Sequence, residues 1–408
     1  MADSVLIINA GSSSLKFSLY HEDGNGEFIQ YAKGLLEGIG TKPHLIVSDQ
    51  NNTTLVDKIW TDPKLSQPSA RDILFDETLE WIFNHIGDDE IIAVGHRVVH
   101  GGAKYSRPVF INEAIYQYLE NLTPFVPLHQ PGSLSPMRVM MRKKPNIPQI
   151  ACFDTAFHAT MPDKAKRFAL PRKYYDEGIR RYGFHGLSYQ YIVHYLNQTQ
   201  SPLAKGKTIV AHLGNGASVA AIKEGQCIDT SMSFTPLDGL VMGTRTGHID
   251  AAIILYMLQE EKLSPEEVES LIWKKSGLLG VSEVSSDMRD ILQEVINQGP
   301  KAEYAKQAFD LFVYKLIGEI GRLSASLEGL DGLIFTAGIG AHAPNMRNAV
   351  CKSLKWLGVE IDENANKAHQ EVISTPNSKV LVQIIPTNEE SIILKDILDM
   401  IKKEKVQA

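Results

Sequence analysis

The stretch TIVAHLGNGASVAAIKEGQCIDT (208–230) decides the fold. Thr208–Leu213 is an apolar run with the character of a buried strand, and Gly214-Asn215-Gly216-Ala217-Ser218 is a small-residue turn. Val219–Ile222 predicts a second strand, Lys223-Glu224-Gly225 another turn, and Gln226–Thr230 a third strand. The segment VLIINAGSSSLKFSLYHEDGNGEFIQYA (5–32) repeats the pattern near the start of the chain. Strands are expected over Val5–Ile8, Leu15–Tyr20 and Phe28–Ala32, with a tight turn at Ala10–Ser14 and a hairpin signal at Asp23-Gly24-Asn25-Gly26. Two triple-strand units, each with a Gly/Asn/Ser turn after its first strand, point to an internal duplication.

Helical segments separate and follow these units. Ile73, Leu74, Leu79, Ile82, Phe83 and Ile86 form an apolar helical face that stops at Gly87. Ser264-Pro265-Glu266-Glu267 has the form of a capping box with proline at the first helical position, opening a helix through Trp273. A long helix is expected over Glu303–Glu328, ended by Gly329. A short strand over Leu333–Thr336 then runs into Ala337-Gly338-Ile339-Gly340, followed by a helix. Val380–Ile385 predicts another strand, and Asn388-Glu389-Glu390 opens a last helix through Ile401. Interleaved strands and helices define the α/β class. At about 150 residues per domain, 408 residues suggest two or three domains. No long linker interrupts the chain, so a boundary is expected near Cys152–Asp154: one domain over 1–152 plus 387–408, the other over 153–386.

Composition narrows the functional classes. With 41 basic and 48 acidic side chains the net charge is −7, and no dense basic tract exists to grip nucleic acid or an anionic membrane. No stretch approaches the roughly 18 uncharged apolar residues of a membrane span, and Met1-Ala2-Asp3-Ser4 does not open a secretory signal. Cys152, Cys227 and Cys351 are odd in number and far apart, which suits a reducing cytoplasm.

Three turns could cradle phosphates: Asn9–Ser14, Gly214–Ser218 and Gly338–Gly340. Lys16 sits just past the first, where a cation could reach the same anion. Any single Gly/Asn/Ser cluster is more often a plain hairpin turn. Three in one chain, two of them in duplicated positions, favour a nucleotide. Gly206-Lys207-Thr208 imitates the end of a P-loop, but Ser201 replaces the first glycine and a strand follows, so it is no Walker motif. Arginine flanked by glycine recurs in Gly95-His96-Arg97-Val98-Val99-His100-Gly101-Gly102, which follows an apolar strand. It recurs in Arg180-Arg181-Tyr182-Gly183-Phe184-His185-Gly186 and in Met242-Gly243-Thr244-Arg245-Thr246-Gly247. A lone arginine or histidine is usually a salt bridge or a satisfied core group. Three such loops suit the charge on a phosphoryl group in transfer. Asp154 ends a strand, where α/β proteins place catalytic groups. Glu389 and Glu390 open the last helix, where a carboxylate either complements the dipole or serves Mg²⁺. His96 and His100 lack an HExxH glutamate, which argues against a zinc hydrolase.

INAGSSSLKF (8–17), GHRVVHGG (95–102), PLH (127–129), FDTAFH (153–158), RRYGFHG (180–186) and HLGNG (212–216) together resemble the acetokinase family, the acetate kinases. DTSMSFTPLDGLVMGTR (229–245), SGLLGVS (276–282), SSDMRD (285–290), FTAGIG (335–340) and IPTNEE (385–390) extend the resemblance over nearly the whole chain. It implies two duplicated actin-like, ribonuclease H-like domains, each a mixed β-sheet flanked by helices, with the active-site cleft between them. It also implies reversible transfer of the γ-phosphoryl of ATP to acetate, giving acetyl phosphate and ADP, with Mg²⁺ (Mn²⁺ able to substitute), in a homodimer joined through the second domain.

Carried over by position, the resemblance assigns metal binding to Asn9 and Glu389, and catalysis to Asp154, His185 and Arg245. Arg97 and His129 would bind substrate, and Val99, Leu128, Phe184 and Pro236 would hold the methyl group. Ser12, Ser14 and Lys16 would contact nucleotide, as would His212, Leu213, Gly214, Asn215 and Gly216. So would Asp287, Met288 and Arg289, with Gly338, Ile339, Gly340, Ala341 and His342 on the adenosine side. The chain departs from the family pattern at Tyr189, where histidine is common, at Gln130, at Met232-Ser233-Phe234, at Gly247-His248 and at Ala341-His342, where Glu-Asn is usual. A propionate kinase is the nearest rival, since one methylene is worth only about 1–3 kcal/mol. An actin-like ATPase working through partner binding is the rival from another class, and the arginines beside an apolar pocket argue against it.

Overall fold

Val5, Leu6, Ile7 and Ile8 are all buried, the pattern of a strand covered on both faces. They form the middle of β1, Asp3–Ala10. The computed structural model describes residues 3–11, 14–85 and 90–407, and the chain divides into one unit of Met1–Ala156 with Asn388–Ala408 and a second of Phe157–Thr387.

The first unit carries β1, β2 (Leu15–Glu22), β3 (Phe28–Glu37), β4 (His44–Asp49), β5 (Thr54–Ile59), β6 (Glu90–Val98), β7 (Val109–Phe110) and β8 (Gln149–Phe153). They lie in one sheet of order β5-β4-β3-β2-β1-β6-β8-β7. The second unit carries β9 (Lys207–Leu213), β10 (Ala217–Lys223), β11 (Gln226–Thr230), β12 (Gly332–Thr336) and β13 (Leu381–Ile384), in the order β11-β10-β9-β12-β13. The order β3-β2-β1-β6-β8 in the first unit matches it strand for strand. In both, the first three strands pair antiparallel, and the first, fourth and fifth run parallel. The duplication is thus a shared sheet topology.

Several local expectations change. The turn after β9 is shorter than Gly214–Ser218, because Ala217 and Ser218 already pair with Leu213 and His212 in β10. Gly95–Val98 is the end of β6 itself rather than a loop behind a strand. β4 and β5 extend the first sheet beyond the expected strands; β4 buries Leu45 and Val47 in alternation, whereas β5 is exposed along nearly its whole length, so no apolar alternation marks it. In the helix Arg71–His85 the buried face is Leu74, Phe75, Thr78, Leu79 and Ile82, and Ile73 is 52% exposed. Ile86 and Gly87 lie outside the described residues.

The capping box is present as expected: Ser264 and Glu267 exchange side chain–backbone bonds at the start of Pro265–Lys274. The long helix spans Ala302–Leu327, and Glu328, at φ 59°, makes the left-handed turn that ends it, one residue before Gly329. Gly338–Gly340 lies inside a short helix, Ala337–His342, instead of an open turn. The last helix spans Glu389–Gln407.

Candidate active site

Parallel strands end side by side in the first unit, the place where α/β sheets present ligand-binding groups. Ile8 of β1 pairs with His96 of β6, so Asn9 and Arg97 follow at adjacent positions. Arg97 also pairs with Cys152 of β8, and the Asp154 N–H donates to the Val98 carbonyl at 2.9 Å. The guanidinium donates from Nε to Asp154 Oδ1 at 2.9 Å and from Nη2 to Oδ2 at 2.6 Å, a two-pronged bond. Nη1 donates to Asn9 Oδ1 at 3.1 Å, and Glu389 Oε2 lies 3.8 Å from Nε. Burial alone would weaken the Arg97 charge, but Asp154 and Glu389 outweigh it and hold the guanidinium above its ordinary pKa.

Three of the sequence-assigned groups, Asn9, Asp154 and Glu389, therefore meet around Arg97. Lys16 stands opposite Asn9 in the β1–β2 ladder, and the Gly11 N–H closes the intervening turn on the Ser14 carbonyl at 2.8 Å. Ser12 lies outside the described residues. Val99 is buried just past β6, and Leu128 and His129 are half-buried ahead of the helix Gln130–Lys143. The second of the two glutamates that open the last helix has a role the sequence did not indicate. Glu390 accepts from Ser18 Oγ at 2.6 Å and Gln30 Nε2 at 3.3 Å, which pins the start of the helix that carries Glu389.

In the second unit His185 precedes the helix Gly186–Gln198 with a left-handed backbone, φ 58°. The turn is tight: a side chain on Gly183 would meet the His158 ring at 2.5 Å, and His158 Nε2 bonds the Phe184 carbonyl at 2.8 Å. His185 Nδ1 is 2.8 Å from Ser218 Oγ, and its ring stacks on His212 with centroids 4.2 Å apart. His212 Nδ1 in turn meets Ser188 Oγ at 2.9 Å. Arg245 donates to the Pro236 carbonyl at 2.8 Å and lies over the Trp273 ring, 5.4 Å from its centroid. Burial pushes its pKa down to about 10, so it is charged at neutral pH; among the described residues no carboxylate pairs with it.

Gly216 is where these groups converge. A Cβ there would lie 3.4 Å from His185 Nε2 and 3.7 Å from Arg245 Nη1. The adjoining Asn215 is locked to the arginine's loop, with its carbonyl accepting from the Gly243 N–H at 3.0 Å. A Cβ on Gly243 would strike Asn215 Oδ1, so a side chain there would displace the asparagine side chain. Phe184 and Pro236 are buried in this unit.

A cavity of about 520 Å³ opens beside this cluster. It joins three segments far apart in sequence: Gly214-Asn215, Asp287-Met288-Arg289, and Gly338-Ile339 with His342. Asp287 caps the helix Met288–Ile296 through the Arg289 N–H at 2.8 Å. The Arg289 guanidinium, bonded to the same carboxylate, holds Asp287 below the usual carboxylate range. Leu213, Gly340 and Ala341 are buried, and the carbonyls of the latter two accept from Arg347 at 2.8 Å each. Ser286, part of the SSDMRD stretch, also lines the cavity, as do Leu292 and Asn345, which no motif in the sequence marked.

Two units with one sheet order, strand ends bearing arginine and histidine, and a glycine-edged cavity define a phosphotransferase of the actin-like fold. A family model described as the Acetokinase family matches residues 4–395, and the chain belongs to that family. It is an enzyme that transfers a phosphoryl group to a carboxyl acceptor. An acetate kinase of Nitrobacter hamburgensis is 42% identical over 400 residues, 98% of this chain and 96% of the relative. One from Rickettsia akari is 44% identical over 406 residues, 98% and 99% of the two chains. Among solved structures, the acetate kinase of Porphyromonas gingivalis superposes with a TM-score of 0.85 at 36% identity, over 98% of this chain and all of the other. A propionate kinase of Francisella tularensis gives 0.87 at 34% identity, over 97% and 98%.

Proposed function

We propose that this chain catalyses the reversible, Mg²⁺-dependent, in-line transfer of the γ-phosphoryl group of ATP to acetate, giving acetyl phosphate and ADP. The observation that carries the reading is the convergence of His185 Nε2 and Arg245 Nη1 on the bare Gly216 backbone, beside the cavity that starts at Gly214. Among the described residues no carboxylate pairs with Arg245, so its charge is available to an anion from outside the chain.

Acetate is ionised at neutral pH, so the nucleophile needs no strong base. The task is to hold two anions in line against their repulsion, which positioning and positive charge achieve. Arg97 would receive the acceptor carboxylate with help from His129, and Asp154 would keep the guanidinium aimed. Val99, Leu128, Phe184 and Pro236 would accept the methyl group. The cavity would take the nucleotide, with Lys16, Ser12 and Ser14 on its phosphates and His342 toward adenosine. His185 and Arg245 would neutralise the charge that develops on the transferring group.

Asn9 Oδ1 and the Glu389 carboxylate would hold Mg²⁺, which lowers phosphate charge when bound. The donor set fits: both are hard oxygen ligands, and Mg²⁺ takes one or two carboxylates and leaves other positions to phosphate and water. Mn²⁺ prefers the same donors.

The first unit would act as the N-terminal domain and the second as the C-terminal one. Three buried cysteines suit a cytoplasmic setting, and among the described residues no helix is long and apolar enough to cross a membrane. Homodimerisation through the second unit is supported by the helix Ala251–Gln259, in which Ala251–Leu258 is uncharged yet no residue is buried. Propionate is the second reading, favoured by the likeness to the Francisella structure.

The test is acyl phosphate formation, trapped with hydroxylamine, from MgATP and acetate, propionate or butyrate. Acetate-dependent product is expected, falling by about 10²–10³ in kcat in His185→Ala and Arg245→Ala. The ratio among the acids ranks the two substrates. No acyl phosphate from any acid, with ATP still bound, overturns the reading.

A further inference from the structure

We propose that Tyr189 is a positioning residue for phosphoryl transfer: acting through Ser218, it fixes the His185 ring in the tautomer that carries its proton on Nε2. The proposal deepens the reading of His185 given above and rests on it.

Tyr189 is fully buried in the helix Gly186–Gln198, with its hydroxyl 2.5 Å from Ser218 Oγ. Its ring packs edge-on to His158 and face-on to Phe157, neither of which offers an oxygen acceptor at the phenol. Among the described residues Ser218 Oγ is the one atom bonded to that hydroxyl. Burial pushes the Tyr189 phenol far above its ordinary pKa, so it keeps its proton. A buried O–H left without an acceptor costs more than an unused lone pair on an oxygen that is otherwise bonded. Tyr189 therefore donates, and Ser218 Oγ accepts.

Ser218 is itself fully buried in β10 and owns a single proton. With Tyr189 already donating to it, that proton goes to its other partner, His185 Nδ1, at 2.8 Å. An imidazole nitrogen that accepts cannot also be protonated, so in the neutral ring the proton sits on Nε2. The reverse arrangement, with Nδ1–H donating to Ser218, would give Ser218 two incoming donors and leave its own proton without an acceptor.

The geometry gives this tautomer a use. Nε2 is the nitrogen that borders Gly216 together with Arg245 Nη1. Protonated, it offers a donor to a phosphoryl oxygen; unprotonated, it would present a lone pair to a negatively charged group. Stacking on His212, at an interplanar angle of 21°, holds the ring plane while the Tyr189–Ser218 chain holds the proton. Tyr189 touches none of the reacting atoms and works only through Ser218. A phenol suits this duty because it is a donor of one sense throughout the working pH range, whereas an imidazole at the same place would itself have two tautomers.

The test uses full-length protein labelled with ¹⁵N-histidine. Long-range ¹H–¹⁵N correlation is recorded where the ring is neutral, with the His185 signals assigned by their loss in His185→Gln. The wild type is expected to show a pyrrole-type Nε2 and a pyridine-type Nδ1. Tyr189→Phe, which keeps the ring and deletes the hydroxyl, is expected to move both nitrogens toward averaged shifts. It should lower kcat by roughly fivefold with the KM values for acetate and ATP unchanged. Ser218→Ala should act in the same direction, and adding Tyr189→Phe to it should change nothing further, because the two residues form one chain.

A protonated Nδ1 in the neutral wild-type ring overturns the proposal whatever the variants do. So does a Tyr189→Phe protein that loses thermal stability and activity while its His185 tautomer stays put, for that is a merely structural role. Full activity in His185→Ala overturns the catalytic reading underneath and leaves the tautomer measurement standing, so the two failures are distinguishable.

Discussion

Asp154 commits both carboxylate oxygens to Arg97 while its side chain is only 2% exposed. That geometry supports aiming the guanidinium over taking a proton from a substrate that has none to give. Asp154→Asn keeps the volume and one acceptor but loses the charge and the second prong. It is expected to lower kcat/KM for acetate by roughly 10–100-fold with the KM for ATP little changed. Steady-state kinetics with acetate varied at saturating ATP checks this, and an unaltered kcat/KM would show that the aim of Arg97 does not depend on Asp154. Asn9, Arg97 and Asp154 were legible because each stands in a short motif whose chemistry is visible in its own letters. Their partnership was not, since it depends on the β1–β6 and β6–β8 registers. Ser218, Tyr189 and Glu390 were noticed, but their present partners were not legible for the same reason: a serine, tyrosine or glutamate gains its role only from what the fold sets beside it.

At the scale of elements, the readings that succeeded were those with local causes. The Ser264–Glu267 capping box and the β9–β11 strands follow from bonds and periodicities within a few residues. The segment Ala337–His342 failed because its helix is held from outside. Arg347, fully buried, donates to the Gly340 and Ala341 carbonyls, to Asn366 Oδ1 at 2.7 Å and to the Asn366 carbonyl at 2.9 Å. It satisfies the carbonyls that a helix end leaves unpaired, behind a segment whose front, Gly338, Ile339 and His342, lines the cavity. Arg347→Met fills similar space and strands the Gly340 carbonyl and Asn366 Oδ1, while the Ala341 and Asn366 carbonyls keep His369 as a partner. A stability loss of about 3–5 kcal/mol is expected, together with a raised KM for ATP and an unchanged KM for acetate. Denaturant melts and separate substrate titrations measure the two effects. An ATP affinity equal to wild type would show that the helix stands without Arg347.

For the whole molecule, the sheet order shared by the two units explains why a pattern of strands and small-residue turns sufficed to reveal the duplication: each copy spends its first three strands on a local meander. β5, which only one copy has, escaped notice because an exposed antiparallel edge needs no apolar alternation, whereas β4 does bury Leu45 and Val47 in alternation but over a strand of only six residues. The assembly is where sequence and fold make the sharpest joint demand. Ala251–Leu258 contains no charged residue, and Ile253, Leu255 and Tyr256 are 43%, 53% and 56% exposed on one helix. A helix that is apolar on all sides belongs in an interior. Its own unit does not bury it, and a second copy of the chain, the partner proposed above, would make its composition consistent. Sedimentation at micromolar concentration is therefore expected to give twice the chain mass. Leu255→Glu places a charge in the interface and should shift the protein to monomer, because a buried unpaired charge costs several kcal/mol. The monomer's own fold should be intact, since an exposed helix position tolerates glutamate in the isolated chain. A wild-type protein that sediments as a monomer, or a Leu255→Glu variant that remains a dimer, would remove this helix from the interface.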